Sequence, residues 1–208
     1  MNSKEDFENT IENLTFETEL WNSGKRFIAG VDEAGRGPLA GPVVAAAVIF
    51  PRHLRLDGIK DSKTISAKKR YELFEIIKSK ALSIGIGIVD NRIIDEINIL
   101  NATFRAMHKA IEELIPTPDY LLVDGPYFAE LNIPAKKIVD GDSRCYTIAA
   151  ASIVAKVIRD EIMVQYDKQY PDYGFARNKG YGTREHIEAI KKFGLTDIHR
   201  KSFKLHKL

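Results

Sequence analysis

The sequence has a single cysteine, Cys145, in 208 residues, so no disulfide can form within the chain. It also lacks His and Cys at the spacing of a zinc site, which excludes the common zinc modules. The longest apolar run, residues 43–50, has the length of a strand and is too short to span a membrane. The acidic N-terminus shows neither the basic nor the apolar region of a secretory signal. We therefore expect a cytoplasmic protein that does not bind membranes.

Length and composition indicate an ordinary globular protein with one large, well-buried domain. Hydrophobic residues make up 44% of the chain and charged residues 29%. The net charge of +2 is unevenly distributed, because residues 168–208 contain ten Lys and Arg but only four Asp and Glu. Such a basic segment is typical of a polyanion-binding surface, and equally of a solvated Lys-rich helix, so charge alone favours neither interpretation.

Hydrophobic periodicity predicts an α/β fold without internal repeats or flexible linkers. Strands are predicted at 27–32, 43–50, 83–89, 120–123 and 137–139. Helices are predicted at 4–24, from a cap at Ser66, at about 93–114 and at about 147–168. The small residues at 149–152 would let the last helix lie close to a sheet. Strands that first follow each other and then alternate with helices indicate a mixed sheet covered on both faces.

The most informative segment is residues 30–42, where two adjacent carboxylates follow an apolar strand. Asp32 and Glu33 would point to opposite faces of a regular strand, so we expect the backbone to turn off the strand there. Gly35 and Gly37, on either side of Arg36, allow such a turn and leave main-chain N–H groups accessible to a ligand. The segment therefore predicts a site in which acidic side chains bind a metal and neighbouring main-chain N–H groups bind an oxygen-rich ligand.

Two further predicted strands are followed by acids, Asp124 and Asp142. Ligand sites collect at strand ends on one edge of an α/β sheet. Four oxygen donors suit Mg²⁺ or Mn²⁺, and the four acids could not all stay ionised without cations between them. Two ions about 4 Å apart would assist an in-line displacement at phosphorus. Taken singly, Asp124 is also typical of a turn and Asp142 of a helix N-cap, but the strand-end acids together favour a metal site.

Seven motifs make the chain similar to the ribonuclease HII family, the type 2 ribonucleases H, over residues 27–203. They are 30–37 (GVDEAGRG), 60–63 (KDSK), 123–125 (VDG), 141–143 (GDS), 149–156 (AAASIVAK), 179–183 (KGYGT) and 199–203 (HRKSF). The resemblance implies a ribonuclease H-like mixed five-stranded sheet flanked by helices, with a small helical C-terminal subdomain. The implied division is an N-terminal helical lead-in (1–26), a catalytic domain (27–168) and a basic substrate-binding subdomain (169–208).

The function implied by this resemblance is endonucleolytic cleavage of RNA–DNA hybrids and of duplex DNA on the 5′ side of single ribonucleotides. Products would carry 5′-phosphate and 3′-hydroxyl ends, and two Mn²⁺ or Mg²⁺ ions would act in the working complex. The family's catalytic and metal-binding residues fall on Asp32, Glu33, Asp124 and Asp142. A protein distinguishes RNA from DNA at the 2′-hydroxyl. The resemblance assigns that contact to Gly35, Arg36, Gly37 and Tyr181. Candidate phosphate contacts are Lys63, Lys156, Lys179 and Arg184, although each of them taken singly is more typical of a solvated surface residue.

Two alternatives stay open at the level of sequence. A ribonuclease HIII-like enzyme would share the sheet and the metals, but it would carry a sizeable N-terminal domain and lack Gly-Arg-Gly after the acid pair. A non-catalytic hybrid-binding module would need vestigial acids, whereas all four carboxylates are present. We expect a monomer and assign no sliding-clamp partner, because the chain ends soon after Phe203. His199 and Arg200 fit either a nucleic-acid contact or packing near Phe203.

Overall fold

The computed structural model describes residues 14–59, 65–126, 128 and 131–203. Its mixed sheet has five strands, β1 (Ile28–Ala34), β2 (Val43–Ile49), β3 (Ser83–Val89), β4 (Tyr120–Asp124) and β5 (Ala135–Ile138). Their order is β3-β2-β1-β4-β5. Strand β2 pairs antiparallel with both β1 and β3, whereas β4 pairs parallel with both β1 and β5. The predicted mixed five-stranded α/β sheet is confirmed.

The helices lie between and after these strands. They are α1 (Thr15–Asn22), α2 (Ala67–Lys80), α3 (Asn91–Glu112), α4 (Gly141–Arg144), α5 (Tyr146–Gln169), α6 (Phe175–Asn178) and α7 (Arg184–Phe193), with a 3₁₀ turn at Pro171–Tyr173. Helix α2 begins at the predicted cap, where the Ser66 side chain accepts a hydrogen bond from the Lys69 N–H. The lead-in helix, predicted from residue 4, is described only from Thr15, and residues 4–13 of that prediction lie outside the described residues.

Two apolar layers cover the sheet, and the alternation of side chains along β2 assigns its residues to them. Ala46 and Val48 belong to the layer that includes residues of α2 and α5, while Ala45 and Ala47 belong to the layer with α3. Every residue of β2 is buried, as expected of a strand covered on both faces. No helix in the described part of the chain is long and apolar enough to cross a membrane.

Helix α5 lies very close to β1. A Cβ atom added to Gly30 would lie 2.1 Å from the carbonyl carbon of Thr147 in the first turn of α5. Only glycine fits this crossing, and the small residues at 149–152 that follow are all buried. The close approach predicted for this helix is therefore present, and it fixes the side chains of α5 relative to the strand that carries Asp32 and Glu33.

The segment after α5 has an apolar cluster of its own. Tyr173, Phe175, Ile190 and Ile198 pack together with Met163 of α5, and the same cluster takes in Ala40 from the connection between β1 and β2. A single β-bridge also joins Ala40 to His199. The C-terminal helices thus pack directly on the loop that follows the paired acids. The residue limits of the proposed subdomains stay a prediction.

Candidate active site

Three of the predicted acids converge at adjacent strand ends. One carboxylate oxygen from each of Asp32, Glu33 and Asp124 lies within 4.8 Å of the others. Strands β1 and β4 pair in parallel only as far as Val31 and Val123, so the acids follow immediately where this pairing ends. The group therefore lies at the edge of the sheet where α/β proteins place ligands.

The route by which Asp32 and Glu33 converge differs from the expected one. The prediction that the backbone turns off the strand at Asp32 is wrong, because β1 continues to Ala34 and both acids stay paired with β2. Their carboxylates still lie close to each other and to Asp124, at the point where the pairing of β1 with β4 ends. The turn comes after the strand, at Gly35, where φ is +98°.

The electrostatics of this carboxylate group oppose simultaneous ionisation. Burial raises the pKa of Asp32 well above its usual range, and the charges of Glu33 and Asp124 raise it further. A hydrogen bond from the Ser152 side chain lowers this pKa, but by less. Burial also raises the pKa of Glu33. The nearby guanidinium of Arg36 acts in the opposite direction but does not cancel the effect of burial. Arg36 Nη1 lies 3.3 Å from Glu33 Oε1. Divalent cations would relieve the repulsion among these oxygen donors, so the residues present fit such ions.

Asp142 lies nearby but is not in this group. It is 5% exposed in the short helix α4, and the N–H of its neighbour Gly141 donates to Asp124 Oδ1 at 2.6 Å. Among the described residues, only Asp32, Glu33 and Asp124 form a set with mutual oxygen distances within 4.8 Å. The alternative role as a helix cap is wrong, because Asp140 occupies the N-cap of α4. The assignment of Asp142 as a metal ligand stays a prediction.

The glycine loop and Tyr181 lie against each other. A Cβ atom on Gly37 would be 3.7 Å from Cε1 of Tyr181, whose side chain is 44% exposed. A Cβ atom on Gly35 would lie 2.0 Å from Nε of Arg159, so the chain can pass over that guanidinium only with glycine here. Since Arg36 also contacts Glu33, the predicted ribose-binding loop links the carboxylates to Tyr181.

Of the four side chains predicted to contact phosphates, three have partners within the protein and one lies outside the described residues. Lys156 pairs with Asp160 at 2.5 Å, and Arg184 pairs with Glu188 at 2.8 Å on the exposed face of α7. The ammonium of Lys179 donates to a backbone carbonyl of α6. Lys63, together with the rest of its motif, lies outside the described residues. The Arg184–Glu188 pair is exposed, and such surface ion pairs are weak. The role of all four side chains stays a prediction.

His199 and Arg200 are buried, being 1% and 2% exposed, so the packing interpretation of these residues is correct. The Arg200 guanidinium lies 5.0 Å from the Phe203 ring and donates to main-chain carbonyls of the loop after β1. Cys145 is also fully buried, and burial raises the pKa of its thiol well above the usual range.

Glu17 is a buried acid that the sequence reasoning missed. Its Oε1 accepts from the Thr147 N–H and the Thr147 hydroxyl, both at 2.8 Å, and from Cys145 Sγ at 3.1 Å. Glu17 therefore caps the N-terminus of α5 from a different helix, and α5 begins four residues after Asp142. Burial raises the pKa of Glu17. The signal was in the sequence, because Glu17 lies at helical spacing on the same face as the apolar Leu14 and Trp21. All three side chains are buried.

We expect Glu17→Ala to lower the free energy of unfolding by about 3 kcal/mol, because it leaves the buried Thr147 donors without their acceptor. Glu17→Gln keeps a carbonyl oxygen at the same place and is expected to lose less than half as much. Urea unfolding at pH 7 measures both, with the exposed Glu19→Ala on the same helix as control. Equal stability of Glu17→Ala and wild type would show that this cap is unimportant.

Comparisons with known proteins agree with the fold. The family model described as Ribonuclease HII matches residues 29–206. A ribonuclease HII from Clostridioides difficile (strain 630) is 59% identical over 188 residues, which cover 90% of this chain and 74% of the relative. Ribonuclease H2 from Pyrococcus horikoshii OT3 superposes with a TM-score of 0.71 at 28% identity, covering 86% of this chain and 94% of that one. A PCNA:RNase HII complex from Archaeoglobus fulgidus gives a TM-score of 0.73 at 25% identity, covering 88% and 97%.

The sheet and its strand-end acids thus define an endonuclease of the ribonuclease H class. Within this class, the chain belongs to the ribonuclease HII family. The predicted family and enzyme class are confirmed. The ribonuclease HIII-like alternative is set aside, because the family model and the relatives at 55–59% identity are all ribonucleases HII.

Proposed function

We propose that this endonuclease hydrolyses the RNA strand of RNA–DNA hybrids and also cuts on the 5′ side of single ribonucleotides in duplex DNA. The observation that carries the proposal is that Arg36 pairs with Glu33, while the next residue, Gly37, lies beside the Tyr181 ring. This arrangement puts hydrogen-bond donors suited to a 2′-hydroxyl directly beside acids suited to divalent cations. Such a site would recognise ribose and cleave at the neighbouring phosphate.

Asp32, Glu33 and Asp124 would hold the cations, with Asp142 proposed as a further ligand. Mg²⁺ and Mn²⁺ both fit these oxygen donors. When bound, two ions would stabilise the attacking and leaving oxygens of an in-line displacement that gives 5′-phosphate and 3′-hydroxyl ends. The chain's own contribution is to hold the acids in place, and the Gly141 N–H fixes Asp124 in this way at 2.6 Å.

On the substrate side, the main chain of Gly35, Arg36 and Gly37 would contact the 2′-hydroxyl. Tyr181 offers a flat ring for the neighbouring sugar and a hydroxyl for the same contact. Residues 169–208, which carry most of the excess basic charge, would hold the duplex by its phosphates. We propose a monomeric enzyme and assign it no clamp partner, although its structural neighbour from Archaeoglobus fulgidus forms a complex with PCNA.

Cleavage of two end-labelled duplexes tests this function. One duplex carries a single ribonucleotide in DNA, the other is a complete RNA–DNA hybrid, and each is incubated with Mg²⁺, Mn²⁺ or EDTA. We expect both to be cut with either metal and neither to be cut in EDTA. Binding of the hybrid without cleavage at any metal concentration would instead indicate the non-catalytic module.

We expect Tyr181→Ala to lower kcat/KM on the single-ribonucleotide duplex about 10²-fold, because a misplaced sugar costs about that much in rate. Its effect on stability should be small, since the side chain is 44% exposed. Tyr181→Phe should lie between Ala and wild type and isolates the hydroxyl. Tyr71→Ala, which removes a ring of similar exposure on α2, is the control. Loss of folded protein in Tyr181→Ala would support a structural role for the ring.

A further inference from the structure

Two buried arginines lie beneath the loop formed by residues 35–42. Arg159 of α5 is 0% exposed and Arg200 is 2% exposed. Buried arginines are normally paired with carboxylates, because an uncompensated buried charge is costly. In the described part of the chain neither guanidinium has a carboxylate oxygen within 4.0 Å. One nitrogen, Arg159 Nη1, is buried and has no hydrogen-bond partner among those residues.

Main-chain carbonyls of the loop take the place of carboxylates. Arg200 donates through Nη2 to Gly35 O at 2.6 Å, and through Nη1 to Arg36 O at 2.9 Å. Its Nε donates to Gly41 O at 3.0 Å, and its Nη2 also donates to Pro42 O at 3.1 Å. Arg159 adds bonds to Pro42 O at 3.0 Å and to Ala40 O at 3.2 Å. The two side chains therefore bind most of the carbonyls on the inner side of this loop.

The direction of these carbonyls fixes the direction of the neighbouring N–H groups. In a trans peptide the C=O of one residue and the N–H of the next point in opposite directions. Because the carbonyls of Gly35 and Arg36 point inward to Arg200, the N–H groups of Arg36 and Gly37 point away from it. Neither N–H has a hydrogen-bond partner among the described residues. Both donors are therefore free for a ligand, next to Tyr181.

The same C-terminal segment also holds the backbone of Tyr181. His199 Nδ1 accepts from the Thr196 N–H at 2.8 Å, so in the neutral ring its proton is on Nε2. That nitrogen lies 3.0 Å from His186 Nε2, which must then accept, leaving His186 Nδ1 as the donor to Tyr181 O at 2.8 Å. His199 thus holds the backbone of Tyr181 through His186, while the adjacent Arg200 holds the loop that contains Gly35 and Arg36.

We infer that Arg200 is a positioning residue for ribose recognition. Assisted by Arg159, it holds the loop so that the N–H groups of Arg36 and Gly37 face the same ligand as Tyr181, while its own side chain never contacts nucleic acid. The two positive charges below the loop also make these N–H groups more attractive to an oxygen-rich ligand. The inference deepens the proposed function and rests on it.

Binding measurements in an Asp124→Asn background test this role without cleavage. The two probes are a DNA duplex with one ribonucleotide and the same duplex made entirely of DNA, both with Mg²⁺. The parent should prefer the ribonucleotide about tenfold, the effect of one or two hydrogen bonds to the 2′-hydroxyl. Arg200→Lys keeps the charge but loses the planar fork, so the preference should disappear while affinity for all-DNA duplex stays within about twofold. Arg52→Lys, which alters a guanidinium bound to the distant Trp21 carbonyl, should retain the preference.

The possible outcomes separate the inference from the function on which it rests. A folded Arg200→Lys protein that keeps the full preference, or that binds both duplexes equally less well, overturns the positioning role. A parent protein without any preference refutes the proposed ribose recognition itself. Folding is checked by circular dichroism and thermal unfolding. If Arg200→Lys does not fold, Arg159→Lys is measured in its place, and an undiminished preference there likewise overturns the role.

Discussion

Replacing Asp32 by Asn is expected to lower the rate of cleavage about 10³-fold while leaving the protein folded. Loss of a charged ligand at a site that stabilises a phosphoryl transition state is worth about 4 kcal/mol, which corresponds to this factor. Single-turnover cleavage of the hybrid in Mg²⁺ measures the effect. Asp57→Asn, which changes an exposed acid after the other end of β2, is the matched control and should cut like wild type.

Asp32→Asn should also raise the thermal stability of the protein when no metal is bound. Burial together with Glu33 and Asp124 raises the pKa of Asp32, so the ionised carboxylate is less favourable in the folded than in the unfolded protein. The folded state therefore loses stability as the pH rises through the carboxyl range, and a neutral amide removes that loss. In EDTA at pH 7, Asp32→Asn should unfold at a higher temperature than wild type, and Mg²⁺ should stabilise wild type more. The opposite order would contradict a repulsive carboxylate group.

Replacing Asp142 by Asn is expected to have the second large effect, a loss of about 10³-fold in turnover with hybrid binding retained. Asp142 is buried beside the residue whose N–H fixes Asp124, and the proposed cations would bring it into the ligand set. Asp140→Asn is a close control, because Asp140 is exposed and its φ of 53° is one that Asn adopts readily. Turnover near that of wild type in Asp142→Asn would remove this residue from the catalytic set.

Much of the fold could be predicted from the sequence because its signals are local. The all-apolar run that forms β2 is typical of a strand buried on both faces, and the cap at Ser66 marks the start of α2. The strand-end acids were predicted to lie together because parallel strands bring their carboxyl ends to one edge. Asp32, Glu33 and Asp124 meet there, as expected.

The remaining features depend on contacts between distant parts of the chain. Asp32 and Glu33 meet Asp124 because β1 pairs with β4, a strand about 90 positions away in the sequence. Arg200 acts on carbonyls more than 150 positions earlier, and Glu17 caps a helix 130 positions later. Local patterns cannot give such partners. They can show that a charged residue occupies a buried helix face, as Arg159 does between Ala155 and Met163.

The central claim is that one site recognises ribose and cleaves beside it with divalent cations. Mapping the cut in a DNA duplex that contains one ribonucleotide tests it most directly, with both strands labelled and both product ends identified. In Mg²⁺ or Mn²⁺ we predict a single cut on the 5′ side of the ribonucleotide, with 3′-hydroxyl and 5′-phosphate ends, and no cut in EDTA. Cleavage in EDTA, a cut elsewhere in the DNA, or an intact duplex under conditions where the complete hybrid is cut would contradict it.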